Sequence, residues 1–137
     1  QNKAVSDSLA KVARTATSEA RDALAKSQKD QINRLLSDAY AFRKDKRFVD
    51  AIQAYGEAKE LAETSEEKSN IAAQIASAQK ENNDADFERN RDTGIALKEA
   101  NQCRAAIRYL EAAQKARRDD NVVKKALEDC KAKIAKQ

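Results

Sequence analysis

The side chains able to do chemistry are few. Two cysteines, Cys103 and Cys130, stand 27 residues apart, and the 137 residues include no histidine. Without imidazole there is no base of that kind near neutral pH and no histidine metal ligand. Two cysteines at this spacing fall short of the four closely set ligands of a structural zinc site. With only two glycines in the chain, no glycine-rich phosphate loop occurs. The paired carboxylates Glu66-Glu67 and Asp119-Asp120 stand where helices are expected to start, and there they favour the helix dipole. The chain is expected to be no enzyme and to need no cofactor and no metal.

The elements that must position these residues are helical. Charged residues are 36% of the chain, about one residue in five is alanine, and proline, methionine and tryptophan are absent. That composition excludes collagen, which needs glycine and proline, and a β-sandwich, which needs turn residues and branched or aromatic strands. No stretch approaches the roughly 18 apolar residues of a membrane span. Good helix formers remain. Alanine buries little area, so the core is expected to gain by close backbone approach between helices.

Polar clusters punctuate the chain. Asp45-Lys46-Arg47 interrupts an apolar pattern, and Thr64 with Glu67 three residues on reads as a capping box. Asn82-Asn83-Asp84 reads as a break with Asp84 as N-cap, and Asn101 and Asp119-Asp120 complete the set. Seven helices follow, over 3–28, 30–44, 47–63, 65–82, 84–100, 102–118 and 120–136. The alternative is fusion of neighbours, at 28–32 or 82–85. Spacings of three and four mark the expected core. They run through Val5, Leu9, Val12, Ala16, Ala20 and Leu24, then Ile32, Leu35, Ala39 and Phe42. They continue with Phe48, Ala51, Ile52, Tyr55, Ala58 and Leu61, and end with Val123, Leu127, Cys130 and Ile134.

With a turn near residue 119, Cys103 lies about 16 residues before it and Cys130 about 11 after, so at 1.5 Å per residue their heights differ by about 7 Å. That is near the limit for a disulfide. An intrachain disulfide, two buried thiols and an intermolecular bond all remain open.

The chain also repeats itself. Shifted by 55 residues, Ile32 meets Phe87, Arg34 meets Arg89, Ala39 meets Gly94 and Phe42 meets Leu97. Phe48 then meets Cys103, Ala51 meets Ala106, Ile52 meets Ile107, Tyr55 meets Leu110 and Ala58 meets Ala113. Small residues face small and large face large, as two antiparallel helices in contact require. The unit is a helical hairpin followed by one further helix.

On Ala39, Phe42, Ala51, Tyr55 and Ala58, and again on Gly94, Leu97, Ala106, Leu110 and Ala113, the sequence resembles the tetratricopeptide repeat family. The two matches span about half of the chain. The family's repeats follow at about 34 residues. A spacing of 55 places an additional helix in each unit, and the proline that usually ends a repeat is missing. The resemblance implies an all-α fold of antiparallel helical hairpins stacked as a short right-handed solenoid. Its segments would be an N-terminal helix (1–29), a first hairpin (30–63), a connecting helix (64–83), a second hairpin (84–118) and a C-terminal helix (119–137). It implies protein–protein interaction, and a concave groove lined by Asn33, Leu36, Tyr40, Arg43, Arg91 and Lys98. The family's clamp for an acidic C-terminus wants lysine and asparagine where Leu36 and Tyr40 stand, so that clamp is not expected.

Charge is segmented. Residues 1–49 carry net +5, residues 50–97 net −6 and residues 98–137 net +5. Basic ends could meet acidic middles of neighbouring copies. With similar helices at both ends, this makes a self-assembling filament or tube subunit the expected function, its partner being itself. The alternative is an adaptor or chaperone-like protein that holds a peptide or another protein in its groove. Basic residues interleaved with acids, and the lack of an aromatic stacking platform, argue against nucleic acid. An N-terminal Gln1 is what removal of a signal peptide would leave, so export is expected, with a cytoplasmic location as the alternative.

Overall fold

The computed structural model describes the backbone of residues 2–137 and the side chains of residue 14 and residues 16–137. The expected core residues Val5, Leu9 and Val12 lie outside the described side chains. The described residues form five helices and no strand: α1 (Asn2–Lys44), α2 (Phe48–Leu61), α3 (Ser65–Glu99), α4 (Cys103–Ala116) and α5 (Asn121–Ala135). They divide into two compact units, Gln1–Ala78 and Gln79–Gln137, with the boundary inside α3.

Five helices replace the expected seven, because the first and second and the fourth and fifth are fused. Ser27-Gln28-Lys29-Asp30 and Asn82-Asn83-Asp84 contain neither glycine nor proline. Asn and Asp cost at most about 0.7 kcal/mol each inside a helix, and extending an existing helix needs no new nucleus. Asp84 is no N-cap. Its carboxylate Oδ1 accepts from Arg117 Nη2 at 2.7 Å.

Both hairpin turns are built alike. Lys46 and Asn101, 55 residues apart, each adopt φ 63°. In the first turn Lys46 N donates to Arg43 O at 3.0 Å and Arg47 N to Phe42 O at 2.8 Å; in the second Asn101 N donates to Lys98 O at 3.0 Å and Gln102 N to Leu97 O at 2.8 Å. A left-handed residue with this bond back to the last turn stops a helix by satisfying its free carbonyls. Neither glycine serves that purpose. The second interhelical turns rest on side-chain caps: Thr64 Oγ1 accepts from Glu67 N at 3.1 Å, and Asp120 Oδ1 from Val123 N at 3.0 Å.

The first unit buries Ala39, Ala51, Ala54, Tyr55, Ala58, Ala62, Ile71 and Ala78, with Phe42, Leu35 and Ile52 at the edge. Ala16, Ala20 and Leu24, expected in the core, are exposed, as is all of α1 from 16 to 27. The 14 residues of α2 can cover only about 21 Å of a helix three times as long, and Ala16, Ala20 and Leu24 lie in the part left exposed.

The second unit buries Phe87, Cys103, Ala106, Leu110, Ala113, Val123, Ala126, Leu127 and Cys130, with Leu97, Ile107 and Ile134 packed against them. Gly94 is where α3 and α4 approach closest to the limit. A Cβ built there would stand 2.6 Å from Leu110 Cδ2 and 2.7 Å from its Cγ.

Candidate functional site

The equivalent side-chain clasps of the two units show how the third helix is held. Arg43 Nη1 donates to Gln74 Oε1 at 2.9 Å in the first unit, and Lys98 Nζ donates to Asp129 Oδ2 at 3.0 Å in the second. Both partners are shifted by 55. Further along the same helix pair the units differ.

In the first unit a cleft of about 370 Å³ opens between residues 25–36 of α1 and residues 61–71. Its apolar lining is Ala25, Ile32, Leu36, Leu61 and Ile71; Gln28, Asn33 and Asn70 add amides, and Lys29, Glu63 and Glu67 add charge. In the second unit the corresponding space is occupied. Phe87 stands for Ile32 and is 1% exposed. Arg117, which stands for Ala62, lays its guanidinium 4.2 Å from the centre of the Phe87 ring and reaches Asp84, which stands for Lys29. The first unit has the smaller Ile32 and no bridge between residues 29 and 62.

Of the groove residues expected from sequence, Asn33 and Leu36 line this cleft. Tyr40 stands one turn beyond Leu36, 59% exposed, with the Lys44 ammonium 5.3 Å from its ring centre. Arg43 belongs to the clasp with Gln74. Arg91 and Lys98 belong to the second unit, where Arg91 pairs with Asp92 at 3.0 Å and Lys98 with Asp129. Lys29, Glu63 and Ile71 also line the cleft, as do Leu61, expected in the core, and Glu67, expected in the capping box. The signal for them lies in the 55-residue alignment, where Ile32 against Phe87 and Ala62 against Arg117 are mismatched in size.

All ten positions that carry the repeat pattern take part in the packing. Ala39, Ala51, Tyr55, Ala58, Gly94, Ala106, Leu110 and Ala113 are buried, and Phe42 and Leu97 are half-buried.

Cys103 and Cys130 are free thiols, both buried in the second core. Both belong to the same buried cluster, to which α4 and α5 contribute. The backbone is extended at Arg117 and at Asp120, the two ends of the turn that joins α4 to α5. Burial, then the hydrogen bond and repulsion from Cys103, push the Cys130 thiol from 9.0 up to about 11, against the pull of Lys98 and Lys133. The folded chain thus binds this proton more tightly than the unfolded chain. Its contribution to stability is complete below pH 9 and is lost as pH rises through about 11. Denaturant unfolding of the reduced chain between pH 8 and pH 11 is expected to show a steeper loss for the wild type than for Cys130→Ser.

No protein-family model matches this chain, and searches of curated proteins and of solved structures also return no match. No helix among the described residues is long and apolar enough to cross a membrane.

Proposed function

We propose that the chain is a non-catalytic, tetratricopeptide-like interaction module that holds a segment of a partner protein in the cleft between α1 and α3. The observation that carries this reading is the difference between the two units. The second unit fills the equivalent space with an aromatic ring and a guanidinium over it; the first leaves that space open. A partner segment presenting an aromatic side chain beside an arginine would complete the first unit in the same way. Glu63 and Glu67 outnumber Lys29 at the rim, so a basic neighbour to the aromatic residue is favoured.

Selection of peptides from a displayed random library against the whole chain tests the reading. Enrichment of aromatic–basic peptides is expected. Leu36→Glu places a carboxylate on the apolar floor and is expected to weaken the selected peptides at least tenfold, about 1.4 kcal/mol, with an unchanged helical circular-dichroism spectrum. No enrichment, or equal binding by Leu36→Glu, would overturn it.

Self-assembly into a filament or tube is the second reading. It is favoured by the net −6 of residues 50–97 against net +5 on either side, and by Val49 and Val122, 68% and 59% exposed. Sedimentation at rising concentration, in low salt and in about 0.5 M salt where the Debye length falls to roughly 4–5 Å, separates the two. A self-assembler grows with concentration and shrinks with salt; an adaptor stays monomeric in both.

A further inference from the structure

The two cysteines are set in different surroundings although they belong to one buried cluster. Cys103 is the first residue of α4 and lines a surface cleft of about 340 Å³, together with Gln102, Arg104, Lys133 and Ile134. Cys130 lies behind it on α5 with no exposed surface. A small reagent entering the cleft therefore meets Cys103 first, in a cleft that Arg104 and Lys133, the latter donating to Asn101 Oδ1, also line. At the equivalent positions the first unit carries Phe48 and Ile75, which cannot cross-link.

We propose that Cys103 and Cys130 form a reversible dithiol–disulfide pair that is closed by a low-molecular-weight, carboxylate-bearing disulfide entering this cleft. Cys103 gives its proton to solvent, and its sulfur attacks one sulfur of the reagent. The reagent's S–S bond breaks, one half leaves as a thiolate and takes up a proton, and a mixed disulfide stays on Cys103. Cys130 then loses its proton and attacks the Cys103 sulfur. The mixed disulfide breaks and the second half of the reagent leaves as a thiol. Two protein thiols are oxidised by two electrons, and one reagent disulfide is reduced to two thiols. Lys133 and Arg104 favour an anionic reagent over a cationic one. The product ties α4 to α5, and a dithiol reductant reopens it.

The test is intact-mass analysis of the native full-length chain incubated with glutathione disulfide at about pH 8.5, with the dicationic disulfide cystamine as the charge-reversed probe. The wild type is expected to lose the mass of two hydrogens, to carry no adduct and to yield a peptide pair joined through Cys103 and Cys130. Cys130→Ser is expected to stop at one glutathione adduct on Cys103. Cys103→Ser is expected to remain unmodified until denatured. Glutathione disulfide should react severalfold faster than cystamine in low salt, and the difference should vanish at about 0.5 M salt. Four wild-type outcomes would each overturn the proposal, whatever the variants do: no reaction, two adducts on one chain, disulfide-linked dimers, or cystamine as the faster reagent in low salt.

Discussion

Phe87→Ala is expected to unfold the second unit at room temperature. The ring is 1% exposed and sits in the core with Leu110, Val123 and Leu127. Truncating a buried phenylalanine costs about 3–5 kcal/mol, part of it lost transfer energy and part the cavity left behind. Here the loss is compounded. The guanidiniums of Arg117 and Arg91, 4.2 and 5.5 Å from the ring centre, would face an empty space, and the Asp84–Arg117 pair would lose the surface it lies on. A whole domain is stable by only about 5–15 kcal/mol, so a small alanine-rich core has little to spare. Amide hydrogen exchange is the measurement. Protection should vanish from α4 and α5, while α2 keeps most of its own. The equivalent Ile32→Ala in the first unit should cost clearly less, because Ile32 is only half-buried at the wall of an open cleft.

The second large effect comes from one chemical change made at two places. Gly94→Ala and Gly56→Ala both add a single methyl group inside a helix, and both gain up to about 1 kcal/mol of helix propensity. At Gly56 nothing lies within 4 Å of the new Cβ, so that gain should appear in full as a higher thermal midpoint. At Gly94 the new Cβ would overlap the Leu110 side chain and stand 3.3 Å from its backbone N. Leu110 is wholly buried and has nowhere to turn. Relieving the overlap means moving α4 off α3, and overpacking of this kind costs about 1–3 kcal/mol. The midpoint should therefore fall for Gly94→Ala and rise for Gly56→Ala. Equal shifts would show that the close approach at Gly94 does not exist.

The hairpins were legible in the sequence because their signal is redundant. Ala39, Ala51 and Ala58 recur as Gly94, Ala106 and Ala113, and each occupies a place where only a small side chain fits between helices. The turns at Lys46 and Asn101 were legible for a related reason, since each interrupts an apolar pattern on both sides. The fused helices were not. Asn82-Asn83-Asp84 and Asp119-Asp120 look alike as polar clusters, yet one continues a helix and the other starts one. What separates them is tertiary: Asp84 is engaged by Arg117 across the unit, whereas Asp120 turns back to cap Val123. The stripe through Ala16, Ala20 and Leu24 has correct helical spacing and is nevertheless exposed. Periodicity reports which face could be buried, and only the length of the partner helix decides whether it is.

The cleft was half legible. Asn33 and Leu36 were expected in a groove, but Glu63, Glu67 and Ile71 come from the next helix and share no pattern with them. That Cys103 and Cys130 share one buried cluster depends on how α5 lies against α4, which a count of helical rises does not supply.

The identical bonding of the turns at 45–47 and 100–102 has a consequence for how such a chain can change length. A break inside α3 would cut through a ladder in which each amide is bonded four residues back. The turns offer a different join. A chain that ran to Asn101 and resumed at Arg47 would keep every turn bond and gain one whole period of 55 residues; one that ran from Lys46 to Gln102 would lose one. Unequal recombination between these two points of the gene therefore lengthens or shortens the protein in complete structural units.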